Sequence, residues 1–157
     1  MAGTTVRKYI ITESVISMLF NAVFSFGVTY LFFKGQQLIQ KSELIVDALP
    51  QTFFVTFFGT LVPTLVTRAR LRTGRITSQP YRKTLLPNNA LPRAISMGIM
   101  VSLAGYAVHF LVINALGIET LTLSATLTYK TLYGAALSWL VTPWALNIAF
   151  RDHVTTP

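Results

Sequence analysis

The sequence predicts an all-α integral membrane protein of four transmembrane helices, built as two parallel two-helix repeats with both termini on the inner side. Three observations predict it. The 157 residues are 52% hydrophobic and only 11% charged, against roughly 25% charged in an ordinary soluble domain. Four long apolar segments divide the chain, and basic residues collect on one side of them. Disorder is excluded because disordered chains are poor in apolar residues.

The first expected span covers 10–33, broken only by Glu13. At 1.5 Å per residue it outreaches a hydrocarbon core of about 30 Å. Arg7 and Lys8 resemble the basic start of a signal peptide, but the apolar run is too long. It ends in Phe32-Phe33-Lys34-Gly35-Gln36 without a small-x-small cleavage site, so a retained span is expected. The second span covers 50–67, with Pro50 suited to a first helical turn. The third covers 94–116 without a charge, and the fourth covers 129–150, between Lys130 at its start and Arg151 beyond its end. Backbone amides have no partner in lipid, so these spans should be helices. Of the connections, 37–47 mixes apolar and charged residues and suits a short interfacial helix. The inner loop 68–92 is rich in Arg, Thr and Pro and should be irregular, whereas 117–128 is weakly polar and should lie along the interface.

Charge sets the expected orientation. With the N-terminus inside, the inner segments carry Arg7, Lys8, Arg68, Arg70, Arg72, Arg75, Arg82, Lys83, Arg93 and Arg151, and the outer ones only Lys34, Lys41 and Lys130. This is the positive-inside pattern of an inner (cytoplasmic) membrane protein. The net charge of +8 thereby reads as topology, with anionic lipid headgroups as the partner of Arg68, Arg70, Arg72, Arg75, Arg82, Lys83 and Arg93. Nucleic acid is not expected, because Tyr81 alone interleaves that cluster and no recognition motif is present.

The halves echo each other. Ile16-Ser17-Met18 returns as Ile95-Ser96-Met97, and Leu61-Val62-Pro63 as Val141-Thr142-Pro143, at offsets of 79 and 80 residues. This predicts one membrane domain over 1–157, with repeat one at 7–72 and repeat two at 93–153, related by an axis along the membrane normal. The run Ile95-Ser96-Met97-Gly98-Ile99-Met100, Gly117, and Pro143-Trp144-Ala145-Leu146 resembles small bacterial two-helix membrane proteins of uncharacterised function. The resemblance is closer in the second hairpin than in the first, where Asn21 and the Phe-rich stretch depart from it. It implies a fold element, here as a tandem pair, and no activity.

Polar and small residues fall on single helical faces: Ser14, Ser17, Asn21 and Ser25 in the first span, and Thr52, Thr56, Thr60 and Thr64 in the second. Gly98, Ser102, Gly105 and His109 do so in the third, and Thr131, Gly134, Ser138 and Thr142 in the fourth. Such faces serve helix packing, and alternatively line a solute path. The candidate residues for either role are Ser17, Asn21, Ser25, Thr56, Thr60, Ser102, His109 and Ser138. Glu13 sits close enough to the inner edge to form an interfacial ion pair with Arg7, Lys8 or a loop arginine. Pro63 and Pro143 are positions for kinks. His109 and His153 lie near opposite faces, so they cannot clamp one haem within a single chain.

With no cysteine, thiolate metal sites and disulfides are excluded. No metal-ligand cluster, phosphate loop or nucleophile with a base is present in the sequence, so neither an enzyme nor a cofactor is expected. The leading expectation is a self-associating bundle or a subunit of a membrane complex. The alternative is a channel or transporter for ions or small solutes formed by an oligomer, and a haem- or quinone-binding subunit is a more distant third.

Overall fold

A computed structural model describes residues 2–80 and 84–152, with side chains from Val6 onward. Four helices dominate: α1 (Ala2–Phe33), α2 (Lys41–Arg72), α3 (Ala90–Ala115) and α4 (Leu123–Ala149). Two short strands, β1 (Leu38–Gln40) and β2 (Thr120–Thr122), precede α2 and α4. Three helical segments, Val6–Phe33, Lys41–Arg72 and Ala90–Ala115, are long and apolar enough to cross a membrane. The fourth expected span is a helix of 27 residues that does not reach the same apolar character. Its polar residues Thr126, Lys130, Ser138 and Thr142 are buried against the other helices.

The connections differ from the sequence expectation at both ends of the bundle: α2 runs on to Arg72 and α3 starts at Ala90, which shortens the inner loop expected over 68–92. No separate interfacial helix occupies 37–47. α2 starts at Lys41 and runs on through Pro50, so 50–67 is only the middle of a 32-residue helix. The start is fixed locally: the Gln40 N–H donates to the Glu43 carboxylate at 3.0 Å, which satisfies an amide that the first turn leaves free. The connection 117–128 contains β2, which pairs antiparallel with β1 in the register Leu38↔Thr122, Ile39↔Leu121 and Gln40↔Thr120. A three-residue strand is too short to leave an alternating pattern in sequence. Ile39 is fully buried in this ribbon and packs in a cluster with Phe33, Leu44, Ile45 and Ile113.

Two glycines make the ribbon possible. Gly35 and Gly117, each two residues past a helix end, hold φ of +92° and +62°, a conformation that costs residues with a Cβ. At Gly117 the turn closes with Gly117 N donating to Asn114 O and Ile118 N to Ile113 O, both at 3.1 Å, which is the paired bonding of a Schellman cap. The ends of α1 and α3, the two glycines, and the starts of α2 and α4 are each 82 residues apart. The buried faces of α2 and α4 keep that spacing: Leu44, Ala48, Thr52, Thr56 and Thr60 correspond to Thr126, Lys130, Gly134, Ser138 and Thr142. Pro63 and Pro143, 80 residues apart, therefore fall two positions out of register. Pro63 is buried and Pro143 half-buried.

Helices joined by a ribbon strand are not the main packing partners. α1 lies along α4 and α3 along α2, with α2 and α4 together in the middle, while α1 and α2 touch only sparsely. Each half thus buries its first helix on the other half's second helix. The small residues serve this interlock. A Cβ at Gly134 would collide with the Ser25 side chain, one at Gly98 would meet the Phe53 ring at 2.9 Å, and one at Gly105 would meet the Tyr133 hydroxyl at 2.8 Å.

Gly134→Ala should therefore lower stability by about 1–3 kcal/mol, the usual cost of overpacking. Ser25→Ala in the same chain should recover part of it. Gly27→Ala should be silent or slightly stabilising, since a Cβ there meets nothing within 4 Å and alanine is the better helix former. Unfolding midpoints in detergent compare the three.

Candidate functional site

The inward faces of α1, α2 and α4 form a buried polar spine, and α3 contributes a histidine at one end. α2 places Thr52, Thr56, Thr60 and Thr64 at steps of four residues, all fully buried. That spacing stacks them along one helical stripe. Three clusters lie along the spine.

At the middle, Ser17 and Asn21 of α1 meet Ser138 and Thr142 of α4. The Ser17 and Ser138 hydroxyls are 3.0 Å apart. The Asn21 amide Nδ2 donates to the Ser17 carbonyl at 2.9 Å and to Ser138 Oγ at 3.0 Å. Thr142 Oγ1 lies 2.9 Å from Ser17 Oγ and donates to the Gly59 carbonyl at 3.3 Å. Gly59 lies four residues before Pro63, which has no N–H to offer that carbonyl. Thr142 thus bonds a backbone group that the proline releases. Ser25 and Thr56 continue the spine with buried hydroxyls that have no protein partner. Thr60 reaches the Met97 sulfur at 3.7 Å.

Toward the ribbon end, His109 packs edge-on against Tyr133 and Tyr129, with ring centroids 4.4 and 5.6 Å away. Its Nδ1 is 2.8 Å from the Gly105 carbonyl, and its Nε2 is buried and free. The Tyr133 hydroxyl lies 2.7 Å from Thr52 Oγ1. Close by is an ion pair, Lys130 to Asp47 at 3.0 Å, with the lysine side chain wholly buried. Lys130 also donates to the Leu44 carbonyl at 3.2 Å, while Gln51 Nε2 donates to the Lys130 carbonyl at 2.9 Å.

At the opposite end Asp152 receives two arginines. Arg93 grips it through both terminal nitrogens, at 2.7 and 2.9 Å, and Arg68 adds contacts at 2.7 and 2.9 Å. Arg93 Nε donates to the Pro87 carbonyl at 2.9 Å, and both guanidinium groups reach the Asn88 carbonyl. Glu13 pairs with Arg70 at 2.8 Å; Arg70, expected in the inner loop, stands in the last turn of α2. The Arg70 guanidinium also lies 5.1 Å from the centre of the Tyr9 ring.

The site residues expected from sequence thus separate. Ser17, Asn21 and Ser138 are in direct contact, and Ser25, Thr56 and Thr60 share their spine. Ser102 is turned to its own helix, donating to the Gly98 carbonyl at 2.6 Å. His109 belongs to the ribbon-end cluster. Among the expected headgroup contacts, Arg93 is corrected: it is fully buried and its donors are taken by Asp152 and loop carbonyls. Arg68 and Arg70 are half-buried and paired, whereas Arg72 and Arg75 are exposed. Arg82 and Lys83 lie outside the described residues, as does His153. Sequence reasoning missed Lys130, taken there for an outer-side charge, and Asp152 as a hub. The available signal was the pairing of rare charges, with Asp47 in the second turn of α2 and Lys130 in the corresponding stretch of α4.

Removing one partner of a buried ion pair strands the other, at about 3–5 kcal/mol, while replacing both is often neutral. Asp47→Leu should therefore cost about 3 kcal/mol, allowing for the partial exposure of Asp47, and Asp47→Leu/Lys130→Leu should recover most of it. Chemical unfolding of the three proteins measures this. The chain matches no protein family, no curated protein and no solved structure.

Proposed function

We propose that this chain is a four-span inner-membrane protein with both termini inside, and that its spine is a pathway for protons or a small polar solute. The observation that carries the reading is the column of buried hydroxyls with open hydrogen-bonding capacity at Ser25, Thr56 and Thr64. Ion pairs bound it near both ends. Intramembrane ionisable groups are costly and usually belong to pathways. The glycines on the faces expected to serve helix packing, Gly98, Gly105 and Gly134, are occupied within one chain, which favours an internal pathway over a pore between subunits. α4 crosses as the fourth span because its polar residues face that column.

The matching order of helix, strand and helix in each half supports a tandem duplication, in keeping with the resemblance to bacterial two-helix hairpin proteins. Exposed Arg72 and Arg75 are the groups that reach anionic headgroups. The chemistry is non-enzymatic and needs no cofactor. A second reading, a subunit of a membrane complex, is favoured by the outer faces of α1 and α3: only 17% and 22% of their apolar windows are buried, against 44% in α2.

Reconstituted liposomes carrying a pH-sensitive dye and an imposed potassium diffusion potential test the pathway. Proton flux should exceed that of empty vesicles and fall at least fivefold in Thr56→Val, which keeps shape and removes the hydroxyl. No flux above background for protons, alkali cations or glycerol would reject the pathway and leave the complex subunit as the reading.

A further inference from the structure

The basic residues at the loop end of the bundle are not all neutralised by the chain. Arg68 and Arg93 spend their charge on Asp152, and Arg70 on Glu13. Arg151 is half-buried like Arg68 and Arg70, yet its side chain bonds to a neutral amide, with Nε donating to Gln79 Oε1 at 3.3 Å. That contact positions the guanidinium, because the Gln79 N–H is itself pinned to the Phe150 carbonyl at 2.9 Å. The terminal nitrogens carry the remaining donors of the fork, and among the described residues none meets a carboxylate. A charge partly removed from water without a counter-charge is costly, so the position calls for an anion from outside the chain.

Arg151 stands at the edge of a cleft of about 350 Å³ between the end of α4 and the segment 84–86. Its other walls are largely apolar: Trp144 and Ile148 from α4, Leu85 and Leu86 from the facing segment. Trp144 is 42% exposed and Leu85 fully so, which opens the cleft to the surroundings of the bundle. Leu140, Trp144, Asn147 and Arg151 follow one another at steps of four, three and four residues, which is one helical stripe. The first three are exposed, and the Arg151 N–H continues the turn by donating to the Ile148 carbonyl at 3.0 Å. The stripe runs from aliphatic through aromatic to amide and cation. A phospholipid beside a spanning helix presents acyl chain, glycerol ester and phosphate in that order.

We propose that this cleft binds the headgroup of an anionic phospholipid, its phosphate on the Arg151 guanidinium and its glycerol region against Trp144. The inference rests on α4 crossing the membrane, as proposed above, and not on the pathway. A guanidinium fork matches phosphate oxygens at two points, and a tryptophan at the membrane interface offers an apolar ring with one N–H. The acyl chains stay outside the cleft, along Trp144 and Leu140. A free phosphate would satisfy Arg151 and leave the apolar walls without contact. A zwitterionic lipid brings its own ammonium to the phosphate and gains less from Arg151. The attraction is local, unlike that of exposed Arg72 and Arg75, which acts on the surface as a whole.

The test uses the full chain with Trp139→Phe, which leaves Trp144 as the single tryptophan, in liposomes of phosphatidylcholine and phosphatidylglycerol. One lipid at a time carries bromines high on its acyl chains, which quench tryptophan on contact. Brominated phosphatidylglycerol should reach half-maximal quenching at about fivefold lower mole fraction than brominated phosphatidylcholine, the effect of one basic residue close to an anionic headgroup. Arg151→Gln should bring the two curves together, while Arg75→Gln should leave them apart. Leu85→Glu, at a fully exposed position, sets a carboxylate against the headgroup and should also merge them. Inorganic phosphate in the buffer should leave the preference in place. Equal curves in the parent protein would overturn the proposal and leave α4 in the bilayer. So would a preference that survives Arg151→Gln or Leu85→Glu, or one that is lost in Arg75→Gln or to inorganic phosphate. Quenching by neither lipid would put Trp144 away from the bilayer and overturn the four-span reading as well.

Discussion

Polar groups inside an apolar bundle must find their partners on neighbouring helices, and this constraint organises the whole chain. Five acids stand among thirteen basic residues, and each is engaged. Glu13 holds Arg70, Asp47 holds Lys130, Glu119 holds Lys41, and Asp152 holds both Arg68 and Arg93. Glu43 accepts from the Gln40 amide at the start of α2. Apart from that local bond, every pair joins different elements. The scarce carboxylates therefore act as ties between segments far apart in sequence, such as Glu13 with Arg70 and Arg93 with Asp152. A buried charge left unpaired costs several kcal/mol, so these ties restrict which helices can sit together more than they add to net stability.

The same constraint explains the crossed packing. Ser17 and Asn21 on α1 bond with Ser138 and Thr142 on α4, and Thr52 on α2 bonds with Tyr133 on α4. α2 and α4 consequently turn polar inner faces to their neighbours and lie together in the middle of the bundle. The glycines at 98, 105 and 134 admit neighbouring side chains where a methyl group would intrude. At the far end, the ribbon of β1 and β2 fixes how the two halves meet, and the positive-φ glycines at 35 and 117 let each helix turn into it. The Asn21 carbonyl oxygen is left buried without a protein partner.

Much of this architecture was legible in the residues. The apolar runs located the cores of all four helices, and the three- and four-residue spacing of Ser, Thr and Asn marked the inward faces, because a helix repeats its face on that period. Ser17, Asn21 and Ser138 were identified one by one, but their convergence was not, since helix neighbours do not follow from chain order. Adjacent spans suggested self-contained hairpins, whereas Gly134 against Ser25 and Gly98 against Phe53 show partners exchanged between halves. Arg93 looked like any other loop arginine. Its burial depends on Asp152, 59 residues away, a distance over which sequence carries no pairing signal. The triplet containing Pro63 matched the one containing Pro143 for local composition, while the helices themselves keep a register of 82.

The polar spine closes between the halves of a single chain, with α1 against α4. The absence of native cysteine makes it directly measurable by introducing the pair Ser17→Cys/Ser138→Cys, whose parent hydroxyls are 3.0 Å apart, within the reach that a disulfide requires. Oxidation in native membranes should yield an intramolecular crosslink, seen as a monomer that migrates anomalously until reduced. A crosslink found only in dimers, or none under conditions that oxidise surface cysteine pairs, would contradict a spine closed within one chain.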